Sequence, residues 1–154
     1  MRLKKFCLVL TATIGCRASE KTLMPENEVN AALSVSAPTT VRLNDGLMFE
    51  VSFTNLGTSP IVMEGGWKHI STDFLREDTQ KQVYSIPGPV QTLEYNPYTV
   101  PPGGTFRERR WWDLRNGNSD PVPVGAYTIR AAAFIRGHPE VRVESSLVRF
   151  VITQ

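Results

Sequence analysis

Between Leu47 and Asn55 the chain alternates without a break. Leu47, Phe49, Val51 and Phe53 fall on one side, and Met48, Glu50, Ser52 and Thr54 on the other. A hydrophobic period of two marks a half-buried strand. Asn44-Asp45-Gly46 before it and Asn55-Leu56-Gly57 after it carry turn chemistry. Shorter runs of the same kind predict strands at Leu33–Ala37, Ile61–Met63, Thr72–Arg76, Gln82–Ile86, Thr105–Leu114 and Tyr127–Ile135. Glu77-Asp78-Thr79-Gln80 reads as a hairpin turn. Leu147–Ile152 closes the chain as a continuation of Val141–Val143 across a bulge at Ser145-Ser146. No segment holds a 3.6-residue period with caps, and 11 Pro and 11 Gly punctuate the runs. The pattern predicts an all-β protein, an antiparallel β-sandwich of about seven to nine strands. Its core should bury Phe49, Val51, Phe53, Trp112, Tyr127, Ile129 and Phe150.

Gly125-Ala126-Tyr127-Thr128-Ile129 places a Tyr at the start of a late strand. Immunoglobulin-like sandwiches carry a corner Tyr there, its hydroxyl bonded back to nearby backbone. That makes the expected sandwich immunoglobulin-like and gives Tyr127 a structural role.

Thr105–Leu114 poses a problem of parity. Phe106, Glu108, Arg110, Trp112 and Leu114 share one face, and Thr105, Arg107, Arg109, Trp111 and Asp113 share the other. Successive strand residues point oppositely, so Trp111 and Trp112 cannot both enter one core without a bulge. Arg110 on the Trp112 side points to a bulge or an edge strand.

The N-terminus changes how the charge is counted. Arg2, Lys4 and Lys5 precede the apolar Phe6–Ile14, and Gly15-Cys16 follows. A basic n-region before a short apolar h-region is the layout of a secretory signal. It is too short to be a membrane-spanning helix. The Gly15-Cys16 junction resembles a bacterial lipobox, which implies lipidation of Cys16; simple secretion is the alternative. The expected organisation is a signal at 1–16, a polar tether at 17–31 and one domain at 32–154. The full chain has 17 Lys+Arg against 15 Asp+Glu. Without Arg2, Lys4 and Lys5 the basic count falls to 14. A near-neutral body gives no electrostatic case for nucleic-acid binding. With Cys7 and Cys16 spent in the signal, the body has no cysteine for a disulfide or a thiol catalyst.

From Leu47 to Phe134 the order of motifs resembles the BsuPI-type proteinase-inhibitor domain. The motifs are Phe49–Asn55, Ser59-Pro60-Ile61-Val62, Thr72-Asp73-Phe74, Tyr98–Phe106 with its Pro-Pro-Gly-Gly turn, Trp112, and Pro123–Ile129. Lys81–Pro97 departs from it by lacking a Trp-rich stretch. The resemblance implies a sandwich with Trp112 in its core. Trp111, Arg107 and Arg109 are then left on the outer face.

Candidate chemistry is sparse. His69 and His138 lie far apart, each near one or two carboxylates, which falls short of a zinc ligand set. Ser119 and the Ser145-Ser146 pair have no base beside them, and Gly103-Gly104 lacks the Lys and helix of a phosphate loop. No catalytic, cofactor or metal residue is assigned, and a hydrolase site assembled in space stays as a distant alternative. Binding is better supported. Trp and Arg dominate interface hot spots, which makes Trp111, Arg107 and Arg109 the partner-binding candidates. The long segment Pro87–Pro97 is the alternative, with Leu93, Glu94 and Tyr95 as an inhibitory loop offered to a proteinase. Gly65-Gly66-Trp67-Lys68-His69 is a third, weaker candidate. The expectation is a monomeric, non-catalytic module in a bacterial cell envelope, binding an envelope protein or a proteinase.

Overall fold

The structure, a computed structural model, describes residues 29–63, 70–88 and 97–154, with the side chains of 138–140 left aside. The described chain forms β1 (Ala31–Ser36), β2 (Thr40–Arg42), β3 (Leu47–Asn55), β4 (Ile61–Met63), β5 (Ile70–Arg76), β6 (Gln82–Ile86), β7 (Tyr98–Val100), β8 (Thr105–Trp112), β9 (Gly125–Ile135), β10 (His138–Glu144) and β11 (Val148–Thr153). They build two sheets that pack as an all-β sandwich. The smaller sheet has the order β1-β3-β8. The larger is organised on β9, whose two edges carry β5 and β4 on one side and β11 and β10 on the other. β6 extends β5, β7 extends β4, and β2 extends β11.

The alternating runs fold as their period requires. β3 is buried at Leu47, Phe49, Val51 and Phe53, and each residue between them is open or half-open. All seven residues expected in the core are buried. They join Phe74, Ile70, Met63 and Ile152 in one cluster between the sheets. Its centre is aromatic: Trp112 lies 4.2 Å from Phe74 and stacks at 5.6 Å on Tyr84, ring centroid to centroid.

Several details depart from the sequence pattern. β2 and β7 are strands of three residues, too short to show a period. β2 pairs in parallel with β11, against the all-antiparallel expectation. Ala31, expected in the tether, already pairs with Asn55 in β1. β8 stops at Trp112, two residues early, because Leu114 adopts a left-handed φ of 60°. The break between Val141–Val143 and Leu147–Ile152 behaves as expected. β10 and β11 follow the same edge of β9, and the register slips between the pairs Glu144–Ala132 and Val148–Ile129. Ser145 fills the slip, its hydroxyl accepting from Ala131 N at 3.0 Å.

Tyr127 forms the expected corner. It is fully buried, and its hydroxyl donates to the Pro123 carbonyl at 2.6 Å. Burial pushes the phenol above its ordinary 10.0; Arg76 nearby pulls it down and Asp78 pushes it up. The unfolded chain therefore ionises this tyrosine first. Its contribution to stability is whole below the unfolded value and is lost as pH rises through the folded one. Tyr127→Phe should cost about 1 kcal/mol at neutral pH, the worth of one hydrogen bond. In thermal melts, the gap between wild type and Tyr127→Phe should narrow above pH 10. A gap that stays constant through alkaline pH would remove the phenol from the account.

Candidate functional site

The regular ladder between β3 and β8 settles the parity of the two tryptophans. It runs without a slip from Leu47–Trp112 to Thr54–Thr105. Trp112 is 1% exposed and Trp111 is 57% exposed. Arg107 and Arg109 lie on the Trp111 side, as the alternation requires. Directly across the ladder stand Met48 opposite Trp111, Glu50 opposite Arg109, and Ser52 opposite Arg107. Beyond them β1 contributes Ala32, Ser34 and Ser36. The outer face of the small sheet is therefore a shallow surface, with Trp111 and Met48 at one end and small polar residues at the other. Met48 is itself 55% exposed, so two large apolar side chains meet in the open.

Trp111 is held in place from below. Gly46 has a φ of +69° and leads into β3. A Cβ there would fall 2.7 Å from Trp111 Cε2 and 2.8 Å from Cζ2, and would also collide with Nε1. The indole thus rests on bare backbone, at a left-handed position that glycine adopts without strain and where a Cβ would displace the ring. Gly46 and Met48 were not among the candidate residues. The cross-strand register that places them beside Trp111 is the signal that finds them.

Charge on this face is incompletely matched. Arg109 Nε donates to Glu50 Oε2 at 3.3 Å, with the Arg109 side chain 82% exposed. Among the described residues Arg107 has no carboxylate partner, whereas Arg76, Arg110, Arg130, Arg142 and Arg149 each hold one.

Arg110 explains how a cation sits on the core side without a bulge. Its Nε and Nη2 donate to the two Glu108 oxygens at 2.9 and 2.7 Å. Its Nη1 crosses the sandwich and donates to Thr72 Oγ1 on β5 at 2.9 Å. The group is a clasp between the sheets, on β8, the last of the described strands in the smaller sheet.

Cys16, the Leu93-Glu94-Tyr95 loop and the Gly65–His69 turn lie outside the described residues. Among the described residues no three potential metal ligands come together. A cleft of about 420 Å³ opens between the β5–β6 turn and the 116–123 loop. Lys81, Arg76, Thr79 and Asn118 are on its walls and Val122 on its floor. Arg76 is committed to Asp78 at 3.0 Å.

No protein-family model matches this sequence, and comparison with curated proteins finds no relative. Solved structures do share the fold. The chain is similar to a Pseudomonas fluorescens alkylpurine DNA glycosylase solved with DNA containing an abasic site analog: TM-score 0.52, 8% identity, over 83% of this chain and 32% of that one. It is likewise similar to Spo0M, a sporulation control protein from Bacillus subtilis: TM-score 0.52, 12% identity, over 80% of this chain and 49% of that one. The chain thus spans about a third of the first protein and half of the second. At these identities the likeness is one of fold, and a fold carries many functions.

Proposed function

We propose that this chain is a non-catalytic protein-binding module of the BsuPI-like type, tethered in a bacterial cell envelope through a lipid on Cys16. One observation carries the binding reading: Trp111 is largely exposed on a regular strand, beside Arg107 and Arg109. A large aromatic anchor with a charged rim is the composition of an interface hot spot. The signal-like segment ending at Gly15-Cys16 supports the address.

The test compares wild type with Trp111→Ala in co-purification from envelope extract, followed by affinity measurement on the recovered partner. Truncating a hot-spot anchor typically costs 2 kcal/mol or more, so affinity should fall roughly 30-fold or further. Unchanged recovery with a folded variant defeats the reading. A stoichiometric loss of proteinase turnover, sensitive to changes in Leu93–Tyr95, would replace it with inhibition through the loop. The address is tested separately. Cys16→Ser should move the protein from the membrane to the soluble fraction; a variant that still fractionates with membrane refutes the lipid anchor.

A further inference from the structure

Resting on that reading, we infer the chemistry of the partner: an extended acidic peptide segment with carboxylates at two alternate positions and a large apolar side chain two residues beyond. The argument begins with spacing. Arg107, Arg109 and Trp111 occupy alternate positions on β8 and project from one face. At about 3.4 Å per residue the set spans roughly 14 Å. An extended chain lying along β8 has the same period, so its own alternate side chains meet these three in step. Among the described strands β8 bonds on one side only, to β3, and an added strand would bond along its other side.

Charge sets the sign of the partner. Among the described residues Arg107 pairs with no carboxylate, and Arg109 gives its Nε to Glu50. The terminal nitrogens of both guanidinium groups can still take a carboxylate in a bidentate pair. Across Arg107, Arg109 and Glu50 one positive charge is unmatched. On the larger sheet's outer face Arg130 pairs with Asp73, Arg142 with Glu144 and Arg149 with Glu77.

Trp111 and Met48 set the apolar end. The indole is fixed against Gly46 before any partner arrives, so little side-chain entropy remains to be lost on binding. Met48 beside it is flexible and polarisable, and adapts to a side chain of irregular shape. This apolar pair favours a peptide over an acidic polysaccharide, which would stack a sugar ring on the indole and make no use of the thioether.

The experiment is a selection of random heptapeptides displayed on phage against the full chain, with Trp111→Ala as the counter-selecting bait. Enriched peptides should carry Asp or Glu at two alternate positions, with Phe, Leu, Met or Trp two residues further on, in either chain direction. Affinity for such a peptide should fall about tenfold in Arg107→Ala, and by a similar factor between 0.05 and 0.5 M salt. Gly46→Ala should weaken it while both arginines remain; thermal melting checks that this variant is folded. Enrichment of basic, proline-rich or unpatterned peptides overturns the inference. So does binding of polygalacturonate that needs Trp111 and outcompetes the selected peptide. Co-purification that depends on Trp111, with no acidic pattern in the selection, would retain the interface and reject the acidic strand. Co-purification indifferent to Trp111 would reject the interface itself.

Discussion

Trp112→Ala is expected to destabilise the domain by about 3–5 kcal/mol, the range for removing a large buried aromatic. Three losses combine. The indole touches Phe74 at 4.2 Å, Tyr84 at 5.6 Å and Phe150 at 6.4 Å between ring centroids, so its removal opens a cavity shared by both sheets. Its Nε1 donates to the Arg115 carbonyl at 2.7 Å, and that bond fixes the chain just after β8 ends. Leu114, fully buried in a left-handed conformation, depends on the same turn. A domain of this size has roughly 5–15 kcal/mol to lose in total. Melting should drop by about 10–20 °C, if the variant folds at all. Trp111→Ala, one residue earlier, should cost under about 1 kcal/mol, since it gives up only a cross-strand contact and a perch on Gly46. Denaturant melts of the two variants read the difference directly. Equal losses would mean that Trp111 is a structural residue, and the binding face would lose its anchor.

That contrast also shows how far a sequence of this kind can be read. β3 was legible to the residue because its period is strict and both ends carry turn residues. The hairpin of β5 and β6 and the slip at Ser145 were legible for the same local reason. The parity of Trp111 and Trp112 needed one further fact, that β8 is regular; the resemblance implied only that Trp112 is in the core, Arg110 pointed to a bulge or an edge strand, and the unslipped ladder with β3 is what shows the regularity. What stayed hidden depends on contacts between distant positions. Nothing near Arg110 announces that Thr72 will stand opposite it, 38 residues away. Nothing near Trp111 announces Gly46 beneath its ring. β2 has three residues, and its parallel pairing follows from where β11 lies rather than from its own pattern.

The clasp at Arg110 gives the second large effect. Glu108→Ala is expected to cost about 3 kcal/mol, because it strands a cation whose side chain is only 3% exposed. Two of the three guanidinium nitrogens would lose their acceptors, leaving only the bond to Thr72 Oγ1. The value sits at the lower end for broken buried pairs, since the Glu108 site is 23% exposed and admits some water. The pair itself need not stabilise the fold: exchanging both charges for apolar groups of similar volume is often neutral. Glu108→Leu with Arg110→Met should therefore lose less than Glu108→Ala alone, the Thr72 hydroxyl being the only group left unpaired. Urea denaturation of wild type and the two variants tests the order. If Glu108→Ala costs less than about 1 kcal/mol, the Arg110 charge has reached solvent, and β8 has shifted. That shift would also move Arg107, Arg109 and Trp111, so affinity for an acidic peptide should be measured on the same variant. A rigid β8 keeps the affinity while stability falls, and a displaced β8 reverses that outcome.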